Sequence, residues 1–299
     1  MTGSKTISSQ QASRTGTSPN KSKLFEPTVT AVLAAVTSLY KDELKPYGRI
    51  LLKRLREIEA GDGDVETVPH IDPRYLRRLC ENCMALCVEP ADGREYAVLL
   101  KQRGVSFVDV CSRDDPYPES LWTGIEEYFE NESVKLPALP GGRYACAQVL
   151  VGRKLPCLEG RSLGEVCHIV QLAVSQRKIL GYRQGCMVPY SRSEEFMKER
   201  AAARGVAVRA SDPQGPAAPL RVANWQDVRT CLAAILDSST SPGVGMVTMS
   251  NVKRLFRSRF ELDLSETVLG YSRLCELLED QRLHDICEIH TMGNSQAIV

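Results

Sequence analysis

The chain has 299 residues, 43% hydrophobic and 25% charged, with 38 Lys and Arg against 37 Asp and Glu for a net charge of +1. That balance belongs to a globular protein with room for two or three cored domains, and it excludes a polycation that coats duplex nucleic acid through charge alone. No run of about 18 apolar residues is present, so no membrane span is expected.

Residues 1–25 read as a disordered basic tail. Lys5, Arg14, Lys21 and Lys23 stand among Ser and Thr with no acid before residue 25, and no apolar stretch gives them the form of a secretory signal. The 11 cysteines are odd in number and scattered, which points to reduced thiols and a cytoplasmic setting, with a ribonucleoprotein granule or the nucleus as alternatives.

A first module is expected over 26–111. Val29, Val32, Leu33, Val36 and Tyr40 form one helical stripe, and Pro46 suits the first turn of a second helix carrying Ile50, Leu51, Leu55 and Ile58 up to Gly61. Asp72 and Pro73 open a third helix through Leu76, Leu79 and Cys83. ALCVEP (85–90) and YAVLL (96–100) then read as a hairpin around Asp92–Gly93.

A second module over 112–200 repeats this order. Its helices are expected at 118–130, 143–153 and 162–176, and ILGY (179–182) and CMVPY (186–190) make a ribbon around Gln184–Gly185. Residues 201–222, with the Pro- and Ala-rich SDPQGPAAPL (211–220), read as a flexible linker. The third module, 223–299, has helical patterns at about 225–237, 249–259 and 268–279. Strands follow at about 285–290 and 295–299, around MGNS (292–295). The alternative is one mixed domain of about 165 residues followed by the C-terminal module.

Candidate chemistry is sparse. GRSLG (160–164) fits the spacing of a nucleophile elbow, but Pro156 spoils the strand before it, and Ser162 with Glu165 makes a better capping box. Cys80, Cys83 and Cys87 have zinc-like spacing, yet they also share one helical face and read as core. His70, His168, His284 and His290 are not spaced to share a metal, and His168 reads as a satisfied core histidine. Asp114–Asp115 before Pro116 is turn chemistry, and SPGVGMV (241–247) lacks the Gly-Lys-Ser/Thr of a phosphate loop. No enzyme, cofactor, metal or small-molecule substrate is expected.

The basic helix is the strongest functional signal. Val252, Leu255, Phe256 and Phe260 fall on one side, while Lys253, Arg254 and Arg257 cluster on another, with Arg259 nearer the apolar side. The next helix is expected to expose Ser272, Arg273, Glu276, Glu279 and Asp280, whose carboxylates repel the phosphates of a major groove. Single-stranded or structured RNA suits this surface better, with Tyr271 or the final hairpin placed for stacking, and so does a protein partner docked between the two helices.

KRLFRSRF (253–260), LSETVLG (264–270), SRLCELLED (272–280) and an Asp285 opening the first strand resemble the OST-HTH, or LOTUS, domain, and the chain as a whole is similar to protist OST-HTH domain proteins. The resemblance implies a small winged helix of RNA regulators, binding G-rich or G-quadruplex RNA in some forms and docking a DEAD-box helicase in others. The docking form has an extra C-terminal helix, and a chain ending at Val299 favours the minimal, RNA-directed form. The expected fold is therefore mainly α with small β-ribbons (α+β), built as tandem winged helix-turn-helix-like units. The expected function is non-catalytic RNA binding through Lys253, Arg254, Arg257, Arg273, Tyr271 and Ser272. The alternative is a protein-interaction scaffold using the same module.

Overall fold

Helix caps and hairpin turns that are legible in the sequence set the boundaries of most elements. The computed structural model describes residues 25–91, 93, 95–101, 104, 106–132, 139–208, 220–237, 246–292 and 295–298. The basic tail up to residue 24, Asp92 of the first hairpin turn, most of the expected linker (209–219), the glycine run at 241–245 and residues 293–294 lie outside them. The protein is mainly α-helical with small sheets of two or three strands, and it divides into two compact units, one ending at Val108 and one beginning at Asp109.

In the first unit, Thr28 caps α1 (Val29–Lys41) by accepting the Ala31 N–H at 3.2 Å, and Val32, Ala35, Val36 and Leu39 turn inward. α2 (Gly48–Ala60) buries Leu51 and Leu55. It begins after Pro46, not at it, because the Pro46 carbonyl accepts the Val98 N–H at 2.9 Å and so belongs to the sheet edge. Asp72 and Pro73 open α3 (Pro73–Glu81) as expected. β1 (Leu86–Pro90) and β2 (Tyr96–Leu100) pair antiparallel, and Tyr47 bridges to Ala97 on the free side of β2. The shared cysteine face does not form. Only Cys80 is core, because the helix stops at Glu81, and Cys87 lies exposed in β1.

The second unit begins with α4 (Glu119–Glu132), β3 (Leu139–Pro140), α5 (Arg143–Gly152), α6 (Leu163–Ser175), β4 (Leu180–Arg183) and β5 (Cys186–Pro189). Gln184 and Gly185 turn the hairpin with φ of 50° and 76°, the left-handed pair that a two-residue loop requires. Ser162 and Glu165 form the full capping box at the head of α6. His168 is buried with both ring nitrogens engaged, Nδ1 with the Tyr117 hydroxyl at 3.0 Å and Nε2 with the Ser112 carbonyl at 3.2 Å. Asp115 takes N–H groups from Tyr117, Trp122 and Arg177, which is structural anchoring of the turn.

A helix not read from the sequence follows. α7 (Glu194–Ala203) is capped by Ser193, and Lys178 and Gln184 hold it to the β4–β5 hairpin through Glu199 and Glu194. Residues 201–203 are thus helical, and Val208 reaches the next module, its N–H bonded to Thr267 Oγ1 at 3.3 Å. The expected flexible linker is shortened at that end.

Next come β6 (Arg221–Val222), α8 (Trp225–Asp237), β7 (Val247–Thr248), α9 (Met249–Phe260), β8 (Leu262–Asp263), α10 (Leu274–Leu278), β9 (Ile289–Met292) and β10 (Ser295–Ile298). β6 and β8 run parallel. Val228, Leu232, Ile235, Val252, Phe256, Leu277 and Ile298 make the core. The helix expected at 268–279 is only Leu274–Leu278. Residues 266–270 form a turn ending at Gly270 with φ of 93°, a conformation no helix contains. Asp285 lies in a turn ahead of β9, so it does not open the strand.

One topology recurs three times. Each run goes from helix to a very short strand or bridge, then two helices, then a hairpin. In each the last strand lies in the middle, flanked by its hairpin mate and by the short early segment, as in β3-β5-β4 and β7-β10-β9.

Candidate nucleic-acid interface

α9 carries the basic residues because its opposite face is committed to the core: Val252 and Phe256 are fully buried, and Leu255 and Phe260 pack beside them. Lys253, Arg254 and Arg257 therefore point away from that core. Their surroundings differ. Lys253 is ion-paired with Glu266, whose side chain is only 8% exposed. Arg257 donates Nε and Nη2 to Asp263 Oδ1 at 3.0 and 2.7 Å. Arg254 is exposed and makes no ion pair among the described residues. Arg259, read as leaning toward the apolar side, is exposed at the helix end.

The residues after the turn are less open than their sequence suggests. Tyr271 is half-buried, its hydroxyl donating to Asp280 and its ring edge-on to Trp225 at 6.3 Å. Ser272 donates to Glu276 Oε2 at 3.0 Å, and the same carboxylate takes the Arg273 N–H. The Arg273 guanidinium is ion-paired with Glu195 of α7. The acidic face expected on this helix is thus largely used within the fold. Glu276 is tied to the helix start. Asp280 sits below the usual aspartate range because the Tyr271 hydroxyl, the Arg282 N–H and the Arg282 charge outweigh its burial.

Sequence reasoning missed one feature of this surface. The Arg282 guanidinium lies 4.3 Å from the centroid of the Trp225 ring, a cation–π stack. Arg229 braces it, with two bonds to Asp285 at 2.8 and 2.6 Å and a third to the Arg282 carbonyl. Trp225 opens one helix and Arg282 follows another. The only signal in the sequence was a lone Trp at a helix start, and nothing local announced its partner.

Backbone hydrogen bonds connect these groups. The Tyr271 N–H bonds to the Glu266 carbonyl at 3.0 Å, so the residue that holds Lys253 also positions Tyr271 under Trp225. Lys253, through Glu266, and Arg282, through Trp225 and Tyr271, are thus linked to one turn. Together they offer cations and one stacked guanidinium, a set suited to phosphate oxygens and ring faces. Among the described residues no cluster of three His, Cys, Asp or Glu has the arrangement to hold a metal ion, and no helix is long and apolar enough to cross a membrane.

No curated protein and no solved structure matches the chain. A family model does: residues 132–203 match the OST-HTH Associated domain, from the end of α4 through α7. The match lies just upstream of the module whose residues resemble OST-HTH, and it is consistent with an OST-HTH-related domain in the C-terminal half of the chain.

Proposed function

We propose that residues 220–298 form a winged helix that binds single-stranded or structured RNA, G-rich RNA included, without catalysis. In this reading α8, α9 and α10 are its three helices and the β9–β10 hairpin its wing. Arg254 carries the proposal: an exposed arginine with no carboxylate partner among the described residues, on the same helix as Lys253 and Arg257. Lys253, Arg257 and Arg273 join it by exchanging carboxylates for phosphates. The companion domain matched at 132–203 supports an RNA-related or protein-interaction setting.

A second reading, docking of a protein partner such as a DEAD-box helicase, is favoured by one observation. Lys253, Arg257 and Arg273 are already neutralised, as in a surface that need not attract polyanions. Salt separates the two. RNA binding by the full chain should weaken with log salt at about −0.7 per phosphate contact, and Lys253→Glu/Arg254→Glu should flatten that slope by about one unit. An unchanged slope in the folded variant removes α9 from the interface. Absence of RNA binding at low salt turns the choice to the protein partner.

A further inference from the structure

We propose that Arg282, held over the Trp225 ring, is a stacking pad for one unpaired nucleobase, an inference that rests on the RNA reading above. Its contacts separate this arginine from several others of the module. Arg221, Arg229 and Arg257 each put two bonds into one carboxylate, whereas among the described residues the Arg282 guanidinium has one ion-pair contact, to Asp280 at 3.7 Å. Its guanidinium carbon lies over the indole at 4.3 Å while its side chain is 60% exposed, so the group is held against the ring and still open to water.

The support beneath it is rigid. Trp225 is half-buried against the core, with Tyr271 meeting it edge-on at an interplanar angle of 84°. The Arg282 N–H donates to Asp280 Oδ1 at 2.8 Å, and Arg229 bonds to its carbonyl. A planar cation fixed from both backbone sides and stacked from below loses little freedom when a ring settles on its open face. Purine and pyrimidine faces both fit such a surface, because stacking on a guanidinium plane does not read the base edge. A paired base cannot use it, since its faces are already covered within the helix. The pad therefore selects single-stranded segments, and α9 tethers the adjoining phosphates.

The test uses the full chain, a short single-stranded RNA and an abasic oligomer of equal length and charge. Labelled-oligomer anisotropy should give about tenfold tighter binding for the base-bearing strand, and Arg282→Lys, which keeps the charge but not the plane, should bring that ratio close to one. Tryptophan emission locates the event: Trp122 is fully buried, so base-dependent quenching should disappear in Trp225→Phe. Equal binding of the two oligomers by the unmodified chain overturns the pad and leaves RNA binding standing. A ratio that survives Arg282→Lys overturns it as well. If neither oligomer binds, the RNA reading fails and the pad fails with it.

Discussion

Releasing the cations of α9 from their own carboxylates should strengthen RNA binding. Glu266→Gln and Asp263→Asn remove the negative partners of Lys253 and Arg257 while keeping side-chain size and an oxygen acceptor. Arg257 and Asp263 are both open to solvent, at 60% and 32% of their side-chain surface, so that pair is worth at most about 1 kcal/mol to the fold, whereas Glu266 is buried and Gln in its place spares the interior a charge. A phosphate that takes over either cation must first displace that pair. Two such barriers removed, at about 0.7 kcal/mol each and about 1.4 kcal/mol per tenfold, give a gain of about tenfold in RNA affinity at low salt for the double variant. The salt slope should steepen by about 0.7 for each cation that now reaches a phosphate. The fold should survive, since the main-chain bonds from Leu269 and Tyr271 to the Glu266 carbonyl, at 3.1 and 3.0 Å, do not involve its carboxylate. Anisotropy across a salt series, with circular dichroism as the folding control, measures both numbers. A folded double variant with unchanged affinity and slope would show that these two cations do not face RNA.

Phe256→Ala should cost about 3–5 kcal/mol in denaturant unfolding of the C-terminal module, because the ring is fully buried in its core; a loss under 1 kcal/mol would mean that the core closes without it. Asp115 lies below the usual aspartate range. Burial acts to raise it, but the Arg177 hydrogen bond, the Tyr117 N–H, the Arg177 charge and Trp122 together act more strongly. A carboxylate depressed in the folded state stabilises above its unfolded value, near 3.9, and that contribution is lost as pH falls through the folded one. Stability should therefore decline below about pH 4, and less steeply in Arg177→Met; parallel acid curves for the two proteins would rule this carboxylate out as a contributor. Thiol mapping by alkylation at pH 8 should label exposed Cys87 and Cys111 first. Cys80 and Cys146, whose thiols burial pushes up to about 12, should follow only on unfolding, so early labelling of Cys80 would show that α3 is not packed.

Much of the fold was legible because its boundaries rest on local chemistry. Ser162 with Glu165, Asp72 with Pro73, and Gln184–Gly185 each fix a cap or a turn within a few residues, and each stands where the pattern puts it. The misreadings arise where distant groups override local periodicity. Apolar spacing carried the last helix back to residue 268, but Gly270 and the buried Ser265–Thr267 hydroxyl pair commit that stretch to a turn. α7 escaped notice because it buries none of its own side chains and depends on Lys178 and Gln184 of the hairpin beside it. The cations of the candidate site were visible as residue types, and Asp263, just past the helix end, was readable as a carboxylate within their reach, but Glu266 and Glu195 were not. Glu195 and Arg273 are far apart in sequence, and only folding brings them together.

The order of the small sheets has a consequence for how the chain is made. In all three repeats of the topology the central strand is the one synthesised last: β2, β5 and β10. The helices that precede it can form and collapse early, but the early segments Tyr47, Leu139–Pro140 and Val247–Thr248 have nothing to pair with until that strand emerges from the ribosome. Each repeat therefore closes in a single late event, when one strand zips to neighbours on both sides. For the third repeat that event depends on Ser295–Ile298, with Ile298 fully buried. A stalled or nicked chain that lacks these four residues loses the middle of the sheet, along with both ladders it supports.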